Sequence, residues 1–107
     1  MANSSLLPEY KMLIVYDILP DKYEIYYRYI MGEFVPSLRD LGLYMTYAWH
    51  VPYGNYPARQ IEFICENAPT LRQILANPDW LQLETRLKSY TTRYQRKLVH
   101  FEDRFQF

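Results

Sequence analysis

Apolar residues recur along the chain with two different periods, and these periods predict strands and helices in alternation. Segments 21–42 and 68–90 repeat apolar residues at spacings of three and four, which is typical of the buried side of a helix. Four further segments have the β-branched and aromatic composition of short strands: 12–19, 43–51, 60–65 and 92–101. The predicted order is therefore strand, helix, strand, strand, helix, strand.

The first predicted helix has one apolar stripe and one irregularity. Its stripe consists of Tyr23, Tyr27, Ile30, Phe34, Leu38 and Leu41. Pro36 falls inside the stripe and cannot donate a backbone hydrogen bond, so we expect a kink or a break near Val35. Gly42 is expected to end the helix in the left-handed conformation that helix ends favour. After a restart capped by Asn77, the second helical segment is expected to bury Trp80, Leu83, Leu87 and Tyr90.

This order predicts one α+β domain over residues 1–107, with an N-terminal arm (1–10) and a C-terminal tail (102–107). The four strands are expected to form one antiparallel sheet in which 43–51 and 60–65 make a hairpin. Helices that cross between strands with the same hand lie on one face of a sheet. The other face is then left open.

The open face is predicted to be apolar and to need a partner. Strand 12–19 carries apolar residues on both sides, with Leu13 and Val15 on one of them. In strand 43–51 the odd-numbered residues share one side, although which side faces the helices is left open. Apolar side chains left in water would each forgo about 1.5–3 kcal/mol. We expect a homodimer through the open sheet face; the alternative is a monomer whose tail folds over it.

Charge and segment composition restrict the partners further. Lys plus Arg and Asp plus Glu number 12 each, so the chain lacks the basic excess that dominates nucleic-acid affinity, and no nucleic acid is expected. No apolar run approaches the roughly 20 residues that span a bilayer, so no membrane association is expected. The first residues lack the pattern of a signal peptide. A cytoplasmic location is therefore predicted.

No metal or cofactor is predicted. Cys65 is the single cysteine, which excludes an intrachain disulfide and cysteine-rich zinc sites. The two histidines lack metal-binding spacing, and the three glycines are isolated rather than grouped in a phosphate-binding loop. Any chemistry is expected to use side chains alone.

Glu62 and His50 are the candidate catalytic residues. Histidine changes charge near neutral pH and suits acid–base work, although a histidine near a strand end is also commonly bonded to backbone or water. A carboxylate that faces an apolar cavity, as Glu62 does if it points into a dimer, is a candidate general base. The alternative for Glu62 is an ion pair with Arg59, Arg96 or Lys97.

Aromatic residues supply the candidate ligand-binding surface. Tyr16, Tyr47 and Trp49 are expected to line a pocket for a flat apolar molecule, with Arg96 as a further ligand-binding residue. Aromatic residues at alternating strand positions are also common in a core. Both interpretations remain open from the sequence.

The element order and several turns resemble the dimeric α/β-barrel superfamily of ferredoxin-like proteins, and its NIPSNAP-like branch most closely. The resemblance covers about residues 11–101. It rests on Tyr16 and the Leu19-Pro20-Asp21 turn after the first strand, on Gly54 in the hairpin loop, and on the helix start Asn77-Pro78-Asp79-Trp80. The chain differs from that pattern at Glu62, where relatives often carry an inward histidine, and at Ile14, where an arginine often precedes the tyrosine.

The resemblance implies a ferredoxin-like βαββαβ fold in a dimeric α/β-barrel. Members of the superfamily include cofactor-free monooxygenases, haem-degrading enzymes, lactone isomerases and polyketide cyclases, so the fold does not select a reaction. We expect the protein to bind or transform a small apolar or aromatic molecule in a cavity between the first helix and the inner sheet face. The alternative is a non-catalytic dimerisation module without a ligand cavity.

Overall fold

The computed structural model describes residues 10–50 and 57–100, which form one sheet and a layer of helices. The strands are β1 (Tyr10–Ile18), β2 (Tyr44–His50), β3 (Arg59–Cys65) and β4 (Thr91–His100). The helices are α1 (Tyr23–Tyr29), α2 (Val35–Leu41), α3 (Ala68–Ala76) and α4 (Pro78–Ser89). A short 3-10 turn, Pro20–Lys22, precedes α1. The predicted arm lies outside the described residues except for Tyr10, and the predicted tail lies outside them entirely.

The sheet is antiparallel throughout, with strand order β2-β3-β1-β4. Its two central strands are paired so that Ile14 lies opposite Ile61 and Leu13 opposite Glu62. β4 pairs with the other edge of β1, where Ile14 lies opposite Arg96. The predicted α+β, ferredoxin-like βαββαβ fold is confirmed.

The hydrophobic core lies between the helices and one face of this sheet. Its fully buried side chains include Met12, Ile14, Tyr16, Phe34, Leu38, Ile61, Phe63, Trp80 and Leu87. Phe34 lies at the centre, because its ring contacts both Phe63 of the sheet and Trp80 of α4, at centroid distances of 6.1 and 6.2 Å. The side of the sheet that carries Ile14 and Ile61 is therefore the inner face.

The first helix is continuous but changes its winding before Pro36. A π-helical segment, Ile30–Phe34, joins α1 to α2, and Pro36 follows it as the second residue of α2. The prediction of a kink or a break near Val35 is corrected in one respect: the helix does not break there, and its irregularity is the π-helical segment that ends at Phe34. The extra residue held by the wide turn shifts the stripe before it by one position, so Tyr26 and Tyr29 are buried. The prediction that Tyr23 and Tyr27 belong to the stripe is wrong, because both are exposed.

Strand β2 also contains an irregularity that changes which side chains share a face. Met45 lies opposite Phe63, whereas Tyr47 lies opposite the next residue, Glu62, so the pairing slips by one residue between them. Residues directly opposite share a face, which puts Met45 on the inner face and Tyr47 on the open face. The prediction that all odd-numbered residues of this strand share one side is therefore wrong.

The start of the second helical segment and the end of the first match the predictions. The side chain of Asn77 accepts a hydrogen bond from the backbone N–H of Asp79 and so caps α4. Gly42 ends α2 with φ of 113°, the left-handed conformation expected of it. Within the described residues, no helix has both the length and the apolar run required to cross a membrane.

Candidate functional site

Four side chains from the four strands lie in a row at one end of the inner face. Arg59 of β3 is directly opposite Tyr16 of β1 on one side and His50 of β2 on the other. The ring of Tyr94, from β4, stacks on that of Tyr16 at a centroid distance of 6.2 Å and an angle of 10°. We call His50, Arg59, Tyr16 and Tyr94 the polar row. It stands out because the neighbouring inner-face residues of the two central strands, Met12, Ile14, Ile61 and Phe63, are apolar.

Helix α1 covers the polar row with two tyrosines. The hydroxyl of Tyr26 lies 2.5 Å from that of Tyr16 in a buried hydrogen bond whose donor is either of the two. The neighbouring Tyr27 lies over Arg59, whose guanidinium carbon is 5.4 Å from the ring centroid. The same guanidinium donates a hydrogen bond to the hydroxyl of Tyr27. The tyrosine-rich sequence of α1 therefore supplies the upper wall of this site.

The buried phenols of the site are hydrogen-bond donors rather than bases. Burial raises the pKa of Tyr16. Burial also raises the pKa of Tyr26, although the hydrogen bond with Tyr16 and the charge of Arg59 act in the opposite direction. Burial, followed by the hydrogen bond to Glu84, also raises the pKa of Tyr94. All three hydroxyls therefore keep their protons at neutral pH, and none of them is available to take a proton from a ligand.

Arg59 carries a positive charge that no carboxylate balances among residues 10–50 and 57–100. Its Nε is buried and makes no hydrogen bond there. A buried donor without a partner costs about 1–3 kcal/mol, and such groups are rare in folded proteins; Nε1 of Trp80 is another among the described residues. Arg59 is the most unusual feature of the site.

The predicted site residues do not form one group. Tyr16 and His50 belong to the polar row, whereas Tyr47 and Trp49 lie on the open face with their rings 5.8 Å apart. Glu62 is also on the open face, opposite Tyr47 and Leu13. The structure therefore separates the predicted aromatic walls, with Tyr16 on one side of the sheet and the other two on the opposite side.

Glu62 is fully engaged on the open face. One carboxylate oxygen lies 3.2 Å from Nζ of Lys11, and the other accepts a hydrogen bond of 2.8 Å from the hydroxyl of Thr46. An ion pair was one of the two interpretations of this residue from the sequence. The described partner is Lys11, and not Arg59, Arg96 or Lys97.

Arg96 lies on the inner face but beside helix α4. Its guanidinium is 3.3 Å from the carboxylate of Glu84 and 5.5 Å from the ring centroid of Trp80. Glu84 also accepts a hydrogen bond of 2.8 Å from the hydroxyl of Tyr94. The polar row is thus continued, through Tyr94, into a second hydrogen-bonded group under α4.

Sequence reasoning missed Arg59, Tyr26, Tyr27 and Tyr94 as members of the site. Arg59 was considered only as an ion-pair partner of Glu62. A signal for its position did exist, because in an antiparallel hairpin the residue that begins the second strand lies opposite the one that ends the first. With the strand bounds of the structure that rule pairs Arg59 with His50, whereas the bounds predicted from sequence, 43–51 and 60–65, pair Val51 with Gln60.

A separate groove of about 390 Å³ lies among the helices, away from the sheet. It runs between the α1–α2 segment and α4 and is crossed by an ion pair between Arg86 and Glu33, 3.0 Å apart. In the part of the chain that the structure describes, no three His, Cys, Asp or Glu side chains are grouped as metal ligands.

No family model matches the chain, and no curated protein matches it either. Solved structures do match. A dimeric ferredoxin-like protein from an uncultured marine organism is 11% identical, with a TM-score of 0.65 over 98% of this chain and 96% of that one. An uncharacterised NIPSNAP domain protein from Burkholderia xenovorans is also 11% identical, with a TM-score of 0.63 over 88% and 95%.

A third similar structure is that of SnoaB, a cofactor-independent oxygenase from Streptomyces nogalater. It is 15% identical, with a TM-score of 0.58 over 92% of this chain and 98% of that one. The chain shares the ferredoxin-like fold of these proteins. At these identities the likeness concerns the fold, and the resemblance predicted from the turns and helix starts is confirmed at that level.

Proposed function

We propose that the protein is a homodimer that binds a small apolar or aromatic molecule between α1 and the inner sheet face, at the polar row. One observation carries the proposal: Arg59 lies in the polar row without a counter-charge among the described residues, whereas Arg96, also on the inner face, is paired with Glu84. Because polar groups in a core lower stability unless they are paired, their concentration at one place favours a binding role.

Of the rings around Arg59, Tyr27 is exposed and Tyr94 is half-buried, so these two provide apolar walls for such a ligand, whereas Tyr16 and Tyr26 are buried. Tyr16 and Tyr94 are stacked, and Tyr26 meets Tyr16 edge to face at a centroid distance of 5.8 Å. Small-molecule sites commonly combine apolar walls with a few polar groups that fix orientation. The site between α1 and the sheet combines both kinds of group.

If the ligand is transformed, His50 is the proposed proton acceptor. It is exposed at the end of β2 beside Arg59, whereas the buried phenols of the site stay protonated. We assign Glu62, Tyr47 and Trp49 to the dimer interface instead, because they lie on the face without helices. Arg96 is assigned to its ion pair with Glu84. No cofactor is part of the proposal, and SnoaB, a cofactor-independent oxygenase, is a protein of similar fold.

Binding of 2-naphthol, followed by amide chemical shifts of the 15N-labelled protein, tests the proposal. We expect the largest changes at Tyr16, Tyr26 and Arg59, and small ones at Tyr47 and Glu62. Changes confined to the open face, or none at millimolar 2-naphthol, would refute a ligand site at the polar row. The latter result would favour the dimerisation module without a ligand cavity.

A further inference from the structure

The polar row, taken together with Tyr26 of α1, contains more hydrogen-bond donors than the described acceptors can use. Tyr16 and Tyr26 each have one hydroxyl hydrogen, but the single bond between the two oxygens uses one of them. The second hydrogen therefore has no acceptor among the bonds of the described residues. The buried Nε–H of Arg59 is a further donor without an acceptor. Both surplus donors belong to side chains that meet at the Tyr16–Arg59 pair.

The charge at this place is also uncompensated. Asp17 is next to Tyr16 in sequence, but one oxygen of its carboxylate accepts a bond of 2.7 Å from the backbone N–H of Ala58 and the other pairs with Arg93. Glu62 lies on the other side of the sheet. A cation in a partly buried site without a carboxylate is unfavourable by itself, and an anion with oxygen acceptors would correct both the charge and the surplus of donors.

We propose that the polar row is a carboxylate-binding subsite, and that the ligand is an aromatic or apolar carboxylic acid held by Arg59, beside the buried Tyr16–Tyr26 pair. This rests on the proposed function and names its ligand class. The acid group lies against Arg59, and the apolar body lies along the exposed ring of Tyr27 and the half-buried ring of Tyr94. Tyr27 is a positioning residue, because its ring and hydroxyl hold the guanidinium in place.

Three probes that share one ring system test this in the wild-type protein: 2-naphthoate, 2-naphthol and 2-naphthylmethylamine, each titrated by calorimetry at pH 7. We expect 2-naphthoate to bind about tenfold or more tightly than 2-naphthol, which is the effect of one charge-assisted hydrogen bond. The amine is expected not to bind. Equal binding of naphthoate and naphthol overturns the carboxylate subsite but leaves the proposed function intact. No binding of either probe overturns both.

Two arginine variants locate the subsite. Arg59→Met removes the charge but keeps an apolar stem, and we expect it to bind naphthoate no more tightly than naphthol. Arg28→Met is the matched control, because Arg28 is an exposed arginine of α1 outside the row, and it should keep the wild-type preference. Retention of the preference in Arg59→Met overturns the proposal.

If the Arg59→Met variant does not fold, Tyr27→Phe gives a second test, because it removes the hydroxyl that accepts a hydrogen bond from Arg59. We expect this variant to bind naphthoate severalfold more weakly and naphthol with unchanged affinity. An unchanged naphthoate affinity overturns the proposal.

Discussion

At the scale of single residues, the burial of Glu84 is the feature that the apolar periodicity of its helix does not predict. The predicted stripe of α4 is apolar, yet Glu84 lies within it, and its side chain is only 11% exposed. Two partners from β4 stabilise the carboxylate there: Tyr94 donates a hydrogen bond of 2.8 Å, and Arg96 lies 3.3 Å away. Because these partners are 10 and 12 residues further along the chain, the periodicity of the helix carries no sign of them.

Tyr94→Phe is expected to destabilise the protein by about 1.5–3 kcal/mol, the usual value of a hydrogen bond to a charged group. The variant keeps the ring that stacks on Tyr16 and removes only the donor to Glu84, whose carboxylate stays buried. Urea unfolding measures the change. Tyr23→Phe is the control, since Tyr23 is 47% exposed, and it should cost little. Equal midpoints for the two variants would show that Tyr94 does not stabilise Glu84.

At the scale of elements, the sequence predicts which segments are strands and helices but not the phase of their side chains. Every predicted element exists in the structure, with bounds that differ by a few residues. The two errors have one cause, an inserted residue: the π-helical segment Ile30–Phe34 and the slip between Met45 and Tyr47. The spacing of apolar residues gives an average period over a whole segment, so a single extra residue inside the segment leaves no clear signal in the sequence.

The same cause limits the prediction of the site. Tyr16 and His50 were predicted, and the register brings both beside Arg59. Tyr27 was expected in the buried stripe, and the phase shift instead brings Tyr26 against Tyr16 and leaves Tyr27 over Arg59. Some residues of the site could therefore be predicted from the sequence, whereas their arrangement could not, because it depends on one turn of π-helix.

Two glycine substitutions test the helix that contains this turn. Gly32 lies in the π-helical segment, and a Cβ there would meet nothing within 4 Å, so Gly32→Ala should stabilise the helix by about 0.5–1 kcal/mol. Gly42→Ala is the matched contrast. Its φ of 113° is strained for alanine, and its Cβ would lie 3.3 Å from Thr70, so it should destabilise the protein. Thermal unfolding of both variants gives the two signs, and a loss of stability in Gly32→Ala would contradict the helical geometry described here.

At the scale of the whole molecule, the two faces of the sheet differ in what covers them. The helices cover the inner face, while the open face presents Tyr44, Tyr47 and Trp49 at 50%, 60% and 39% exposure. At the middle of the open face Glu62 pairs with Lys11 at 3.2 Å, and Lys97 lies opposite Leu13 on the same face. An exposed aromatic surface suits a second copy of itself, since a two-fold axis brings like residues together.

Trp49→Glu should therefore dissociate the proposed homodimer. A two-fold interface contains each substituted residue twice, so the change would bring two unpaired carboxylates into an apolar contact, and we expect the dimer dissociation constant to rise at least about tenfold. Sedimentation at micromolar concentration measures it. Met31→Glu is the control, because Met31 is 63% exposed on the helical side, and it should stay dimeric. A monomeric wild-type protein would refute the dimer; so would a Trp49→Glu variant that sediments like the control, because the interface would then lie elsewhere than on the open face.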